Sequence, residues 1–166
     1  MYIEFIFVFI DYFSTLDKKS FMHDWGIAIL ISSISIFINS HKDINTYSFI
    51  NEANSFITTL LGFTLASLSL FLASNIHIDK LKHIKTNKTI RGKKISLYKL
   101  LLINFSYSIV IESILCVSFY IGKLLPNIFS EYVSIIINLI YIILFFNILL
   151  LTIRSITDLY FIISKE

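Results

Sequence analysis

Apolar residues run through this chain in long stretches, and the polar ones collect between them. Residues 53–76, 100–122 and 132–153 each reach the roughly 20 residues that a helix needs to cross a bilayer. Glu112 is the only charged residue in all three. A fourth stretch, 25–40, is shorter at 16 residues and lacks Asp, Glu, Lys and Arg. In lipid every backbone group must be satisfied within its own segment, so each stretch is expected to be helical. The pattern predicts an all-α integral membrane protein built as a four-helix transmembrane bundle, one domain over 1–166 with no internal repeat. Segment 1–13 is too short to span. As a helix it places Glu4 and Asp11, seven apart, on one face, with Phe5, Phe9, Tyr12 and Phe13 mostly elsewhere. It reads either as an interfacial helix on the inner leaflet or as a helix packed on the bundle or a partner. Residues 155–164 continue the apolar pattern past Arg154.

Charge orients the bundle. The loop 79–99 holds eight of the 14 basic residues, Lys80, Lys82, Lys85, Lys88, Arg91, Lys93, Lys94 and Lys99, with no acid from 80 onward. Short loops rich in Lys and Arg stay in the cytoplasm. Placing this one there puts both termini inside, together with Lys18, Lys19, Arg154 and Lys165, and leaves only Lys42 and Lys123 outside. Composition agrees with a membrane class: 56% of residues are hydrophobic and 15% charged, far from the soluble balance. A cleaved signal peptide is not expected, since the first apolar run carries acids where a basic start belongs. Cys116 has no second cysteine to pair with in its chain. There is no zinc cluster, phosphate loop or nucleophile elbow, so neither an enzyme nor a cofactor is expected.

Three groups of residues carry the candidate chemistry. On the second span Gly62, Ala66, Ser69 and Ala73 recur at steps of four, three and four, aligned on one helical face. Small residues let helix backbones approach closely in lipid; the face suits packing against another span or a contact between subunits. Glu112 sits near the centre of the third span, where a carboxylate is costly unless it faces protein or water. Asn104 and Ser108, eight and four residues earlier, extend it into a polar stripe that Cys116 continues. Asn138 or Asn147 on the fourth span is placed to bond it. These residues read as a pore or gate, or as a neutral acid that fixes helix register. The basic loop reads as a solvated topogenic segment that meets anionic headgroups, or as a dock for an acidic cytoplasmic protein. It lacks the aromatic interleaving of a base-stacking surface, which argues against nucleic acid. His77 and His83, six apart, make a poor metal pair.

The core from Thr59 to Leu72, Thr-Leu-Leu-Gly-Phe-Thr-Leu-Ala-Ser-Leu-Ser-Leu-Phe-Leu, resembles a Gly-Phe plus small-polar helix of small multi-span membrane proteins in bacterial anti-phage defence systems. Those include retron-type transmembrane effectors and the four-span membrane subunit of the Kiwa system. The resemblance implies an inner-membrane protein of a defence locus. Three functions compete: a homo-oligomeric effector that perturbs the bilayer, a sensor or anchor subunit that recruits a cytoplasmic partner through the basic loop, and a small transporter. The last is weakened by the single acid within the spans and the lack of a His–Asp pair.

Overall fold

The computed structural model describes residues 2–39, 46–73, 79, 81–124 and 131–163. They form helices α1 (Tyr2–Thr15), α2 (Lys18–Phe21), α3 (Ile27–Asn39), α4 (Thr46–Ala73), α5 (Leu97–Leu124) and α6 (Glu131–Ile163), with strands β1 (Lys85–Ile90) and β2 (Lys93–Ser96) before α5. Three described helices are long and apolar enough to cross a membrane, over Glu52–Ala73, Leu97–Gly122 and Ile135–Asp158. These match the three long apolar runs. As the pattern past Arg154 implied, α6 continues to Ile163.

The central helix is α5. Half of its apolar window is buried within the protein, against 17% for α4 and 22% for α6, so α4 and α6 turn most of their surface outward. α4 lies on one side of α5, and α6 and α1 also pack along it. Thr58 meets Cys116, Thr64 meets Glu112, and Phe71 stacks on Tyr98. Positions on α4 rise as those on α5 fall, so the two helices run antiparallel. The core that they share with α1 and α6 includes Tyr12, Ile57, Tyr107, Leu115, Phe119 and Leu151. Large apolar residues such as Leu70, Val117 and Ile136 stand exposed, a pattern that suits lipid rather than water as the surrounding solvent.

The short fourth run takes a different form from the other three. Its described helix, α3, has 13 residues. The helical path enters it through α2 and a π-helical turn, Met22–Gly26. Asp17 caps α2 by accepting from Ser20 N at 3.0 Å, satisfying one of the free amides at a helix start. Beyond the cap, the π turn inserts an extra residue per turn. Asp24, Ala28 and Ser32 then follow one another at steps of four, each fully buried, while α3 packs along α6.

The basic loop is folded, although most of its basic side chains stay exposed. Residues 85–96 fold as an antiparallel hairpin, pairing Ile90 with Lys93 and Thr89 with Lys94 across the two-residue turn Arg91-Gly92. Both turn residues have positive φ, 50° and 76°, the mirror-image turn whose twist matches paired strands. Gly92 adopts this conformation without steric penalty. Ile90 and Ile95 are buried in the core cluster, and each contributes about 1.5–3 kcal/mol by leaving water. The alternation of these isoleucines with lysines is the physical reason the segment folds onto the bundle. Irregular pairing between Lys85 and Thr89 accompanies a bond from Thr86 Oγ1 to Ile95 O at 2.9 Å.

Candidate functional site

Two buried acids organise the interior, and only one of them stood out in the sequence. Asp24, in the π turn, has no exposed surface. Its Oδ2 pairs with Arg154 Nη1 of α6 at 2.5 Å, and its Oδ1 lies 3.0 Å from His23 Nδ1. A carboxylate only accepts, so the imidazole donates there. Tyr12 of α1 donates its hydroxyl to Oδ2 at 3.4 Å. Asn147 of α6 donates Nδ2 to the Asp24 carbonyl at 3.1 Å and accepts from the Tyr107 hydroxyl at 3.3 Å. The Tyr107 ring stacks on Tyr12 with centroids 3.7 Å apart. The Asp24 carboxylate thus ties together α1, the π turn and α6, and α5 joins through Tyr107 and the Asn147 bond to the Asp24 carbonyl.

This hub supplies a His–Asp pair, one of the features whose lack counted against a transporter, and corrects that premise; its acid lies in the π turn, outside the long apolar helices. A signal for the hub was available: Arg154 interrupts an apolar run that resumes after it, and an isolated charge in such a helix needs a partner.

Glu112, also fully buried, sits in a much poorer environment. Its Oε1 lies 3.1 Å from Thr64 Oγ1, and Oε2 has no described partner. Thr64 has a single proton and already reaches Leu60 O at 2.8 Å. The contact with Glu112 therefore closes best when the acid is protonated and donates to Oγ1. Asn104 and Ser108 share its burial, at 1% and 2% exposure, and both polar side-chain atoms of Asn104 lack partners among the described residues. At the far end of the stripe, Thr58 Oγ1 meets Cys116 Sγ at 3.7 Å. Glu112 and Cys116 thus form a polar seam with Thr64 and Thr58 of α4, and Asn104 and Ser108 lie on the same stripe of α5. No described bond joins it to Asn138 or Asn147. Asn147 is engaged by the hub instead, and Asn138 is half-buried on α6.

On α4 the face that packs on α5 carries Ala53, Ile57, Thr64 and Phe71, all buried. Gly62, Ala66, Ser69 and Ala73 are exposed, and a Cβ built at Gly62 meets nothing within 4 Å. Packing within the chain, the simpler expectation for this face, is therefore not its use in the described residues.

Among the basic residues, Lys88 reaches a segment far away in sequence, the start of α2. Its Nζ pairs with Asp17 at 2.7 Å and donates to Ser20 Oγ at 2.9 Å. Lys88 beside it is the main reason the Asp17 carboxyl is held well below the usual carboxylate range, with the Ser20 hydrogen bonds adding to the effect. Lys82 pairs with Asp79 at 3.3 Å and lies over the Tyr98 ring, while Lys85, Arg91, Lys93, Lys94 and Lys99 are exposed. Lys80 and His77 lie outside the described residues. No group of three or more potential metal ligands occurs among the described residues. No family model, curated protein or solved structure matches the chain.

Proposed function

We propose that this chain is a multi-pass protein of the bacterial inner membrane that assembles with copies of itself and perturbs the bilayer as an effector of anti-phage defence. In this reading four helices cross, the short α3 included, and both termini lie with the basic hairpin in the cytoplasm. The observation that carries the proposal is the free small-residue face of α4. Without a hydrophobic driving force between helices in lipid, close backbone contact through small residues is a main source of association. The Gly62 face is open for such contact, while the opposite face of the same helix is consumed by α5. The seam of Glu112 and Thr64, with Asn104 and Ser108 on the same stripe of α5, lies behind α4. It would be the polar route opened if assembly drew α4 away from α5.

The test is expression of wild type and Gly62→Leu in a bacterial host, followed by membrane-potential dye uptake and phage challenge. Leucine at this open position meets no steric obstacle in the single chain, so folding and membrane yield should be retained. Wild type should depolarise cells when triggered, and the variant should not. Unchanged depolarisation in the variant would remove the α4 face from the account. An absence of depolarisation and of protection with wild type would remove the effector function.

A further inference from the structure

The hairpin and α1 form one continuous surface with two chemistries. β1 packs against α1, and the Arg91 guanidinium lies 5.7 Å from the centroid of the Phe7 ring, at the edge of the helix. On the outward side of α1, Phe5, Ile6, Ile10 and Phe13 are 47–56% exposed. On the hairpin, Lys85, Arg91, Lys93 and Lys94 are exposed and Ile90 and Ile95 point into the core. The two Lys88 bonds to Asp17 and Ser20 carry the start of α2 to the hairpin, adding exposed Lys18 and Lys19. Asp17, beside the hairpin, is already engaged by Lys88, and Asp11 of α1 is half-buried.

We propose that this surface is a seat for anionic phospholipid of the adjoining leaflet, with α1 lying along the boundary of headgroups and acyl chains and the hairpin cations holding lipid phosphates. A cation at the rim of an exposed Phe/Ile face matches the layering of a phosphate above hydrocarbon. Neither a soluble acidic protein nor a nucleic acid accounts for four large apolar side chains beside the charge. The chain's own spans hold this surface next to a bilayer. The seat is independent of assembly through Gly62, which lies on another element.

The experiment uses the full chain, first in neutral detergent and then in nanodiscs. Phosphatidylglycerol, phosphatidylcholine, inorganic phosphate and heparin are each titrated while thermal unfolding and retained lipid by native mass spectrometry are followed. Phosphatidylglycerol should stabilise wild type selectively. The triple variant Lys85→Gln, Lys93→Gln, Lys94→Gln, which changes only exposed residues, should melt like wild type in detergent. It should lose about fivefold in lipid affinity per cation, on the order of a hundredfold together. A second measurement places tryptophan at Phe5 in a Trp25→Phe background, where brominated acyl chains should quench it. Equal response to the two lipids, or quenching by aqueous acrylamide alone, would overturn the proposal. Stabilisation by inorganic phosphate would mark a free-anion site instead, and stabilisation by heparin without lipid selectivity would mark a polyanion dock; either would overturn it.

Discussion

Asp24 and Glu112 are both fully buried, yet their surroundings differ in almost every respect. Asp24 meets a guanidinium, an imidazole and a phenol, and its backbone carbonyl is bonded as well. Among the described residues Glu112 meets one threonine hydroxyl and leaves an oxygen without a partner. A buried charge whose partner is removed is left uncompensated, whereas a neutral acid can lose its partner at the cost of about one hydrogen bond. The first arrangement suits a fixed joint. The second suits an element whose contacts can be exchanged cheaply, which is why the α4–α5 seam and not the hub is assigned to the moving part.

The largest effect should come from breaking the joint. Asp24→Ala leaves Arg154 without its counter-ion and should destabilise the protein by about 3–5 kcal/mol, read as a loss of thermal stability in detergent. The double variant Asp24→Leu, Arg154→Met removes both charges and should recover much of that loss. If the double variant were as unstable as the single one, the ion pair would not be what the hub depends on. Next comes Asn147→Leu, which strands the Tyr107 hydroxyl and the Asp24 carbonyl. It should cost about 1–3 kcal/mol, and a silent result would detach α6 from the hub.

Glu112 should respond more weakly. Glu112→Gln keeps a donor for Thr64 and Glu112→Leu leaves Thr64 its bond to Leu60, so each should shift stability by about 1 kcal/mol or less. On the proposed function, depolarisation of cells should nevertheless fall in both, because neither side chain can take up or release a proton. A fully active Gln variant would reduce Glu112 to a packing residue. A Leu variant as damaged as Asp24→Ala would abolish the contrast between the two acids.

The smallest effect belongs to the pair of half-buried Lys88 and exposed Asp17. Lys88→Met should cost no more than about 1 kcal/mol at neutral pH. The pKa of Asp17 is lower in the folded protein than in the unfolded chain. Its contribution is therefore complete above the unfolded value of about 4 and is lost as pH falls through the folded one. The difference in melting temperature between wild type and Lys88→Met should stay constant from about pH 5 to 8 and shrink only in stronger acid. A difference that grew on mild acidification would assign the effect to another group.

The sequence reveals the three helices long and apolar enough to cross a membrane because uninterrupted apolar runs admit few alternatives. Glu112, Asn104 and Ser108 were legible for the same reason: polar residues inside such a run stand out, and their spacing of four puts them on one face. Their partner was not. Helical phase says which residues share a face, but only the placement of α4 selects Thr64 over Asn138. Asp24 was obscured by its position at the edge of a polar stretch, with Arg154 far away in sequence. The hairpin was hidden by charge, since a window dominated by lysine reads as solvated. Gly92 was the one legible turn signal, while Arg91, which shares its positive φ, is not a usual residue for that turn.

The central claim is that copies of this chain meet through the Gly62 face and open the bilayer. Purified wild type and Gly62→Leu would be reconstituted into liposomes over a range of protein-to-lipid ratios. Ion release and subunit counting by photobleaching would then be measured on the same vesicles. The account predicts release from wild type that rises steeply with protein density together with multi-subunit spots, and predominantly single subunits with little release for Gly62→Leu. Wild type that stays monomeric and tight at every density, or a Gly62→Leu variant that assembles and leaks equally, would contradict it.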